Sequence, residues 1–304
     1  MNPVLVFPGQ GSQRTGMLDD VPEFDALDRL LDAAEALTKR DLRRLQREGT
    51  PAELADTRVA QPLLYLADWA WGSVLLDVGV RPVAVAGHSL GELAALAVAG
   101  VYSVEAGLEL VCERARLMAE AVAESPGAMS AILGLDGQAV ADVLADTTDV
   151  WVANDNAPGQ VVISGLRDAV AEVGDALLSA GARRVVPLDV AGAFHSPVMQ
   201  QAADAFSAVL ASAEFCDAAI PVLQNTRPEP ATEAGDIRAA LATQISSPVR
   251  WTETMQACTR YAPVTLIEAG PGSVLRGLAK RVDGIMAVSI EDTGVQTLVE
   301  EILR

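Results

Sequence analysis

Between an apolar run, Val83 to Ala86, and a helix-forming run, Glu92 to Val98, the chain reads Gly87-His88-Ser89-Leu90-Gly91. G-x-S-x-G between a strand and a helix forces a tight turn at the C-terminal edge of a sheet. The serine Oγ is exposed there, and the next backbone N–H is free at the helix start. Glycines flank the serine because side chains would clash across the turn. Taken alone, the stretch reads equally well as a helix-capping serine after a core strand.

The rest of the chain alternates strands and helices, as an α/β fold requires. Pro3 to Phe7 is a short strand running into the loop Pro8-Gly9-Gln10-Gly11-Ser12-Gln13. That spacing fits neither a dinucleotide fingerprint nor a Walker loop. Gln10 either presents a backbone N–H to a neighbouring site or belongs to a plain turn. One helix is expected over Asp25 to Arg47, a short one from Thr50-Pro51, and a long one over Val59 to Val78, lying against the Val83 to Ala86 strand. The helix over Ala106 to Ala123 carries Arg114 and Arg116, whose spacing points them to different faces.

After Ser125-Pro126-Gly127 the order becomes β-α-β-β-α-β, the split ferredoxin-like motif, so residues 127–190 read as an inserted subdomain within a core of 1–126 and 191–304. Helix and strand then alternate to the C-terminal end. The loop Glu268-Ala269-Gly270-Pro271-Gly272 opens a helix over Val274 to Lys280.

With 41 acidic against 22 basic residues the formal charge is -19, which argues against nucleic acid as a partner. No apolar run has the length of a membrane span, and the cytoplasm is the expected location. Cys112, Cys216 and Cys258 lack the spacing of metal ligands. Only two histidines exist, His88 and His195. A serine nucleophile needs an imidazole within reach. His88 adjoins Ser89 and diverges from it, so His195, on a packed loop after the insert, is the better candidate.

Four motifs, Phe7-Pro8-Gly9-Gln10-Gly11-Ser12-Gln13, Gly87-His88-Ser89-Leu90-Gly91-Glu92, Ala193-Phe194-His195-Ser196 and Glu268-Ala269-Gly270-Pro271-Gly272, resemble in order and spacing the malonyl-CoA:acyl carrier protein transacylases. The resemblance runs nearly end to end. It implies an α/β-hydrolase-like core with a ferredoxin-like insert. It further implies Ser89 as nucleophile, His195 as base, and the Gln10 and Leu90 amides as oxyanion hole. Arg114 would pair with the malonyl carboxylate, and a carbonyl of Gln244 would orient the histidine. Phe194 would fill the space a 2-methyl group needs, with Asn156 and Gln160 at the cleft rim.

The activity implied is ping-pong malonyl transfer from malonyl-CoA to an acyl carrier protein, with no bound cofactor or metal. A trans-acting transferase of polyketide synthesis and the transferase subunit of malonate decarboxylase resemble the same family. An acyl hydrolase would have no use for the Arg114 clamp, and a non-catalytic scaffold would not need the intact Ser89, His195, Gln10 and Arg114. Because carrier proteins are acidic, docking is expected near one of three cationic clusters: Lys39 to Arg47, Arg183-Arg184 or Lys280-Arg281.

Overall fold

The structure, a computed structural model, describes residues 2–22, 25–190 and 192–302; the expected boundary at Ala191 lies outside them. In chain order the elements are β1 (Asn2–Phe7), α1 (Asp25–Thr38), α2 (Leu42–Glu48), α3 (Pro51–Ala55), α4 (Thr57–Asp77), β2 (Ala84–Gly87), α5 (Gly91–Val98) and α6 (Val104–Glu124). Next come β3 (Gly127–Leu133), α7 (Gly137–Leu144), β4 (Val150–Ala157), β5 (Gln160–Leu166), α8 (Arg167–Ser179) and β6 (Arg184–Pro187). The chain then continues through α9 (Gln200–Ser212), β7 (Val222–Leu223), α10 (Ala234–Thr243), α11 (Trp251–Cys258), β8 (Val264–Glu268), α12 (Val274–Ala279), β9 (Ile285–Ser289), α13 (Ile290–Thr293) and α14 (Val295–Ile302).

Two sheets result. One is five-stranded and parallel, in the order β7-β2-β1-β8-β9; the other is four-stranded and antiparallel, in the order β4-β5-β3-β6. The parallel strands are largely apolar, because helices cover both faces of such a sheet; β1 and β2 are buried almost along their whole length. Strand β4 also pairs beyond its own sheet, with the segment that leads into α11: the Asp155 amide donates to the Val249 carbonyl (2.9 Å) and the Val249 amide to the Ala153 carbonyl (2.8 Å). Thr252 Oγ1 donates to Asp155 Oδ1 across the same seam (2.7 Å).

Three expectations need correction. The helix over Asp25 to Arg47 is two helices. Lys39 takes a left-handed φ of 57°, which ends α1, and Asp41 caps α2 by accepting from the Arg44 amide. Helix α4 packs chiefly on α5 and α6 rather than on β2, which explains its apolar residues on nearly every side. The strand expected over Arg184 to Val190 stops at Pro187, which has no N–H for the ladder. Among the described residues, no helix is long and apolar enough to cross a membrane.

Candidate active site

Strands β1, β2 and β8 are neighbours and parallel, so the loops after them open at one edge of the sheet, where α/β folds place their crevices. The turn between β2 and α5 is as tight as the glycines suggested. A Cβ on Gly87 would overlap the Gly91 carbonyl, and one on Gly91 would overlap the Phe7 carbonyl of β1. Ser89 sits in the left-handed region at φ 52°, and His195 does so at 56°. Such conformations cost on the order of 1–3 kcal/mol each for residues other than glycine, so surrounding structure must hold them.

A cavity of about 420 Å³ opens over this turn. Its wall includes Gln10, Ser89, Leu90, Arg114, Asn156, Gln160, Phe194 and His195, residues that the sequence singled out; Gln244 stands behind it, buried. The wall is mixed in origin. The core supplies Gln10, Ser89 and Arg114, while the antiparallel sheet supplies Asn156 from β4 and Gln160 from β5.

Ser89 Oγ and His195 Nε2 lie 2.8 Å apart, although 106 positions separate them. His195 Nδ1 faces two main-chain carbonyls, Gln244 at 3.0 Å and Ser247 at 3.2 Å. A carbonyl only accepts, so Nδ1 carries the proton and Nε2 is left to accept from the serine. The carbonyl of Gln244 is thus the main-chain one. Burial, joined by the positive charge of Arg114, lowers the His195 pKa from its ordinary value to about 3, against a smaller opposing effect of the two carbonyls.

Arg114 and Arg116 diverge as their spacing requires. Arg116 is solvent-facing and paired with Glu113 and Glu120, whereas Arg114 is 1% exposed. Its Nη1 donates to Gln61 Oε1 (2.8 Å), and its Nη2 to Gln244 Oε1 (2.8 Å) and Ser89 Oγ (3.2 Å). All three partners are uncharged oxygens, and the buried Nε has no hydrogen-bond partner. Burying a guanidinium without a bonded anion is costly, and desolvation lowers its pKa to about 10.

His88 does not reach Ser89. Its Nε2 meets Asn156 Oδ1 at 2.8 Å, and its ring packs edge-on against Trp251, with centroids 5.4 Å apart. Desolvation lowers its pKa. Asn156 therefore holds His88 from the antiparallel sheet, where bulges in β4 re-aim the side chains. Gln10 Nε2 donates to the Ala55 carbonyl (3.3 Å), tying the glycine-rich loop to α3.

Several residues escaped the sequence reading. Gln61 holds Arg114, and its one signal was an amide in a mostly apolar helix. Asn225, buried, bonds to the turn from behind, the buried carboxylate of Glu92 accepts from its amide, and neither role gave a separable signal. Among the described residues, no group of three or more His, Cys, Asp or Glu side chains is placed to hold a metal ion.

Comparison with known proteins identifies the family. Residues 4–298 match the acyl transferase domain family. The malonyl CoA-acyl carrier protein transacylase of Synechocystis sp. is 42% identical over 282 residues, covering 92% of this chain and 94% of that protein. The enzyme of the same name from Bacillus subtilis is 40% identical, covering 98% and 97%. A solved malonyl-transacylase, in complex with its type II polyketide acyl-carrier protein, superposes with a TM-score of 0.92 at 40% identity and covers 99% of this chain and 100% of that one. A match of this extent, over a chain three of whose four motifs line one cavity, means that the protein belongs to the acyl transferase domain family and, within it, to the malonyl-CoA:acyl carrier protein transacylases.

Proposed function

We propose that this enzyme transfers a malonyl group from malonyl-CoA to the phosphopantetheine thiol of an acyl carrier protein through a malonyl ester on Ser89. The observation that carries the reading is the buried Arg114, 3.2 Å from Ser89 Oγ, with neutral partners and an unpaired Nε. A carboxylate on the acyl group supplies the missing anion in bidentate form, and an acetyl group leaves the charge unmatched.

In the first half-reaction Ser89 Oγ attacks the thioester carbonyl as its proton passes to His195 Nε2. The Gln10 and Leu90 amides receive the developing oxyanion, and the tetrahedral intermediate collapses with CoA leaving as its thiol, protonated by His195. The carrier thiol then gives its proton to His195, attacks the malonyl ester and restores Ser89. Neutral carbonyls behind His195 suit a malonyl substrate, because a carboxylate there would repel it. Phe194, packed in the apolar wall, restricts the space beside the malonyl methylene. Asn156 and Gln160 present polar groups at the rim. The reacting groups are the serine, the imidazole and the two sulfur atoms, so the chemistry calls for no bound cofactor or metal.

The same reading divides the chain into an α/β-hydrolase-like core, 1–126 and 191–304, and a ferredoxin-like insert, 127–190. The β4-β5-β3-β6 order, with α7 and α8 as its two helices, supports that division. A cytoplasmic location goes with an acyl-CoA substrate.

Intact mass after incubation with malonyl-, methylmalonyl- and acetyl-CoA tests the proposal. A malonyl adduct on wild type and none on Ser89→Ala is expected; no adduct on wild type, or an equal one on the variant, refutes it. Arg114→Ala should lose malonyl loading while acetyl loading holds or rises, and equal losses would make Arg114 structural. Both fatty-acid and polyketide carriers belong in the assay, since the named relatives include a polyketide pair.

A further inference from the structure

Ser89 is held in a backbone conformation that a serine does not choose for itself. The restraint comes from Asn225, two residues past the edge strand β7 and fully buried. Its Oδ1 accepts from the Ser89 amide at 2.7 Å, and its Nδ2 donates to the Gly87 carbonyl at 2.6 Å. One planar amide thus spans the turn from both sides of His88. Asn225 is fixed in its own place by its main-chain N–H, which donates to Glu92 Oε2 at 2.8 Å.

Glu92 lies in the first turn of α5, 1% exposed. Gln224 Nε2 donates to its Oε1 (3.0 Å) and Gln244 Nε2 to its Oε2 (3.2 Å). With the Asn225 amide this makes three N–H donors on one buried carboxylate. Gln244 also donates to the Ser89 carbonyl (2.8 Å), accepts from Arg114, and offers its main-chain carbonyl to His195. The buried carboxylate is therefore tied directly to Asn225 and Gln244, and through them to nucleophile, base and guanidinium.

We propose that Asn225, anchored by Glu92, is a positioning residue that keeps Ser89 in its strained conformation and so aims Oγ at His195. With the Ser89 amide engaged by Asn225, Leu90 supplies the amide of this turn that remains for an oxyanion. The inference rests on the reading of Ser89 as nucleophile and extends it to a residue that touches neither substrate nor the reacting atoms.

The test separates the two ideas by using a probe with no malonyl group. A small fluorophosphonate labels a competent serine: Oγ bonds to phosphorus, fluoride leaves, and the serine proton passes to His195. Labelling rates are read by intact mass for wild type, Ser89→Ala, Asn225→Ala and the isosteric Asn225→Asp, with malonyl loading measured in parallel. Asn225→Ala removes both bonds; Asn225→Asp keeps the acceptor and sets an oxygen against the Gly87 carbonyl. Both should label and turn over on the order of a hundredfold more slowly, as displacements of an ångström do, with KM for malonyl-CoA within about threefold of wild type. Ser89→Ala should not label.

Folded variants that label and load at wild-type rates, or whose loss lies in KM alone, overturn the assignment. If Asn225→Ala does not fold, Asn225→Asp decides alone. A wild type that labels but forms no malonyl adduct refutes the malonyl reading and leaves the role of Asn225 to be judged on the labelling rates.

Discussion

His195 has its proton held on Nδ1 by two carbonyls and its pKa lowered to about 3, so the free base at Nε2 persists far below neutrality. An unfolded histidine titrates near 6.5, so as pH falls from there toward 3 the unfolded chain takes up a proton that the folded one refuses. His195 therefore subtracts stability on the acid side and contributes nothing to acid tolerance. The rate of fluorophosphonate labelling should stay level from pH 8 to about pH 5. Because Arg114 is the second cause of the shift, Arg114→Met should move the acid limb upward; a wild-type midpoint near the ordinary histidine value, or an unmoved limb in the variant, contradicts this assignment. At this scale the reactive residue types were legible in the sequence, since two histidines leave little choice. The supports, Asn225 and Gln61, were not, because an amide becomes a positioning group only through what it faces.

At the scale of elements, local chemistry fixed where helices begin. Thr50 and Glu53 form a reciprocal capping box at α3, readable from their spacing. Glu268 does comparable work through the fold: fully buried at the end of β8, it accepts from the Leu275 amide (3.0 Å) and the Arg276 amide (2.8 Å) at the start of α12. Glu268→Ala strands one buried and one half-buried donor and should cost about 1–3 kcal/mol in urea melts. Since Leu275 and Leu278 of α12 line the cavity, KM for malonyl-CoA should rise with it. A melt unchanged within 0.5 kcal/mol, roughly the effect of an ordinary surface change, would show that α12 needs no cap. The break at Lys39 was invisible beforehand, because the apolar period of α1 and that of α2 run nearly in phase across it.

For the whole molecule, charge decides how an acidic partner approaches. The Lys39 to Arg47 cluster is occupied by the chain's own acids: Arg40 pairs with Asp56, Arg43 with Asp32 and Glu35, and Arg44 with Glu53. Arg183, Arg184, Lys280 and Arg281 are exposed. Arg184 registers with Leu133, which registers with the cavity residue Gln160, two strand spacings away or roughly 10 Å. Lys280 and Arg281 directly follow α12, which lines the same cavity. Reversing these four charges should raise KM for carrier protein at least tenfold at low salt and leave malonyl loading from CoA unchanged. Equal carrier kinetics in the variant would show that docking is not electrostatic. By itself the sequence determined the alternation of strands and helices, the tight serine turn and the residue types the chemistry requires, because hydrophobic period, glycine sterics and capping act over a few residues. Only the tertiary structure decided that Ser89 meets His195, that Arg114 is buried while Arg116 is not, and that Asn225 closes the turn from 136 positions away. Periodicity says which face of an element is hidden; strand order and the packing of one sheet against another decide what that face meets.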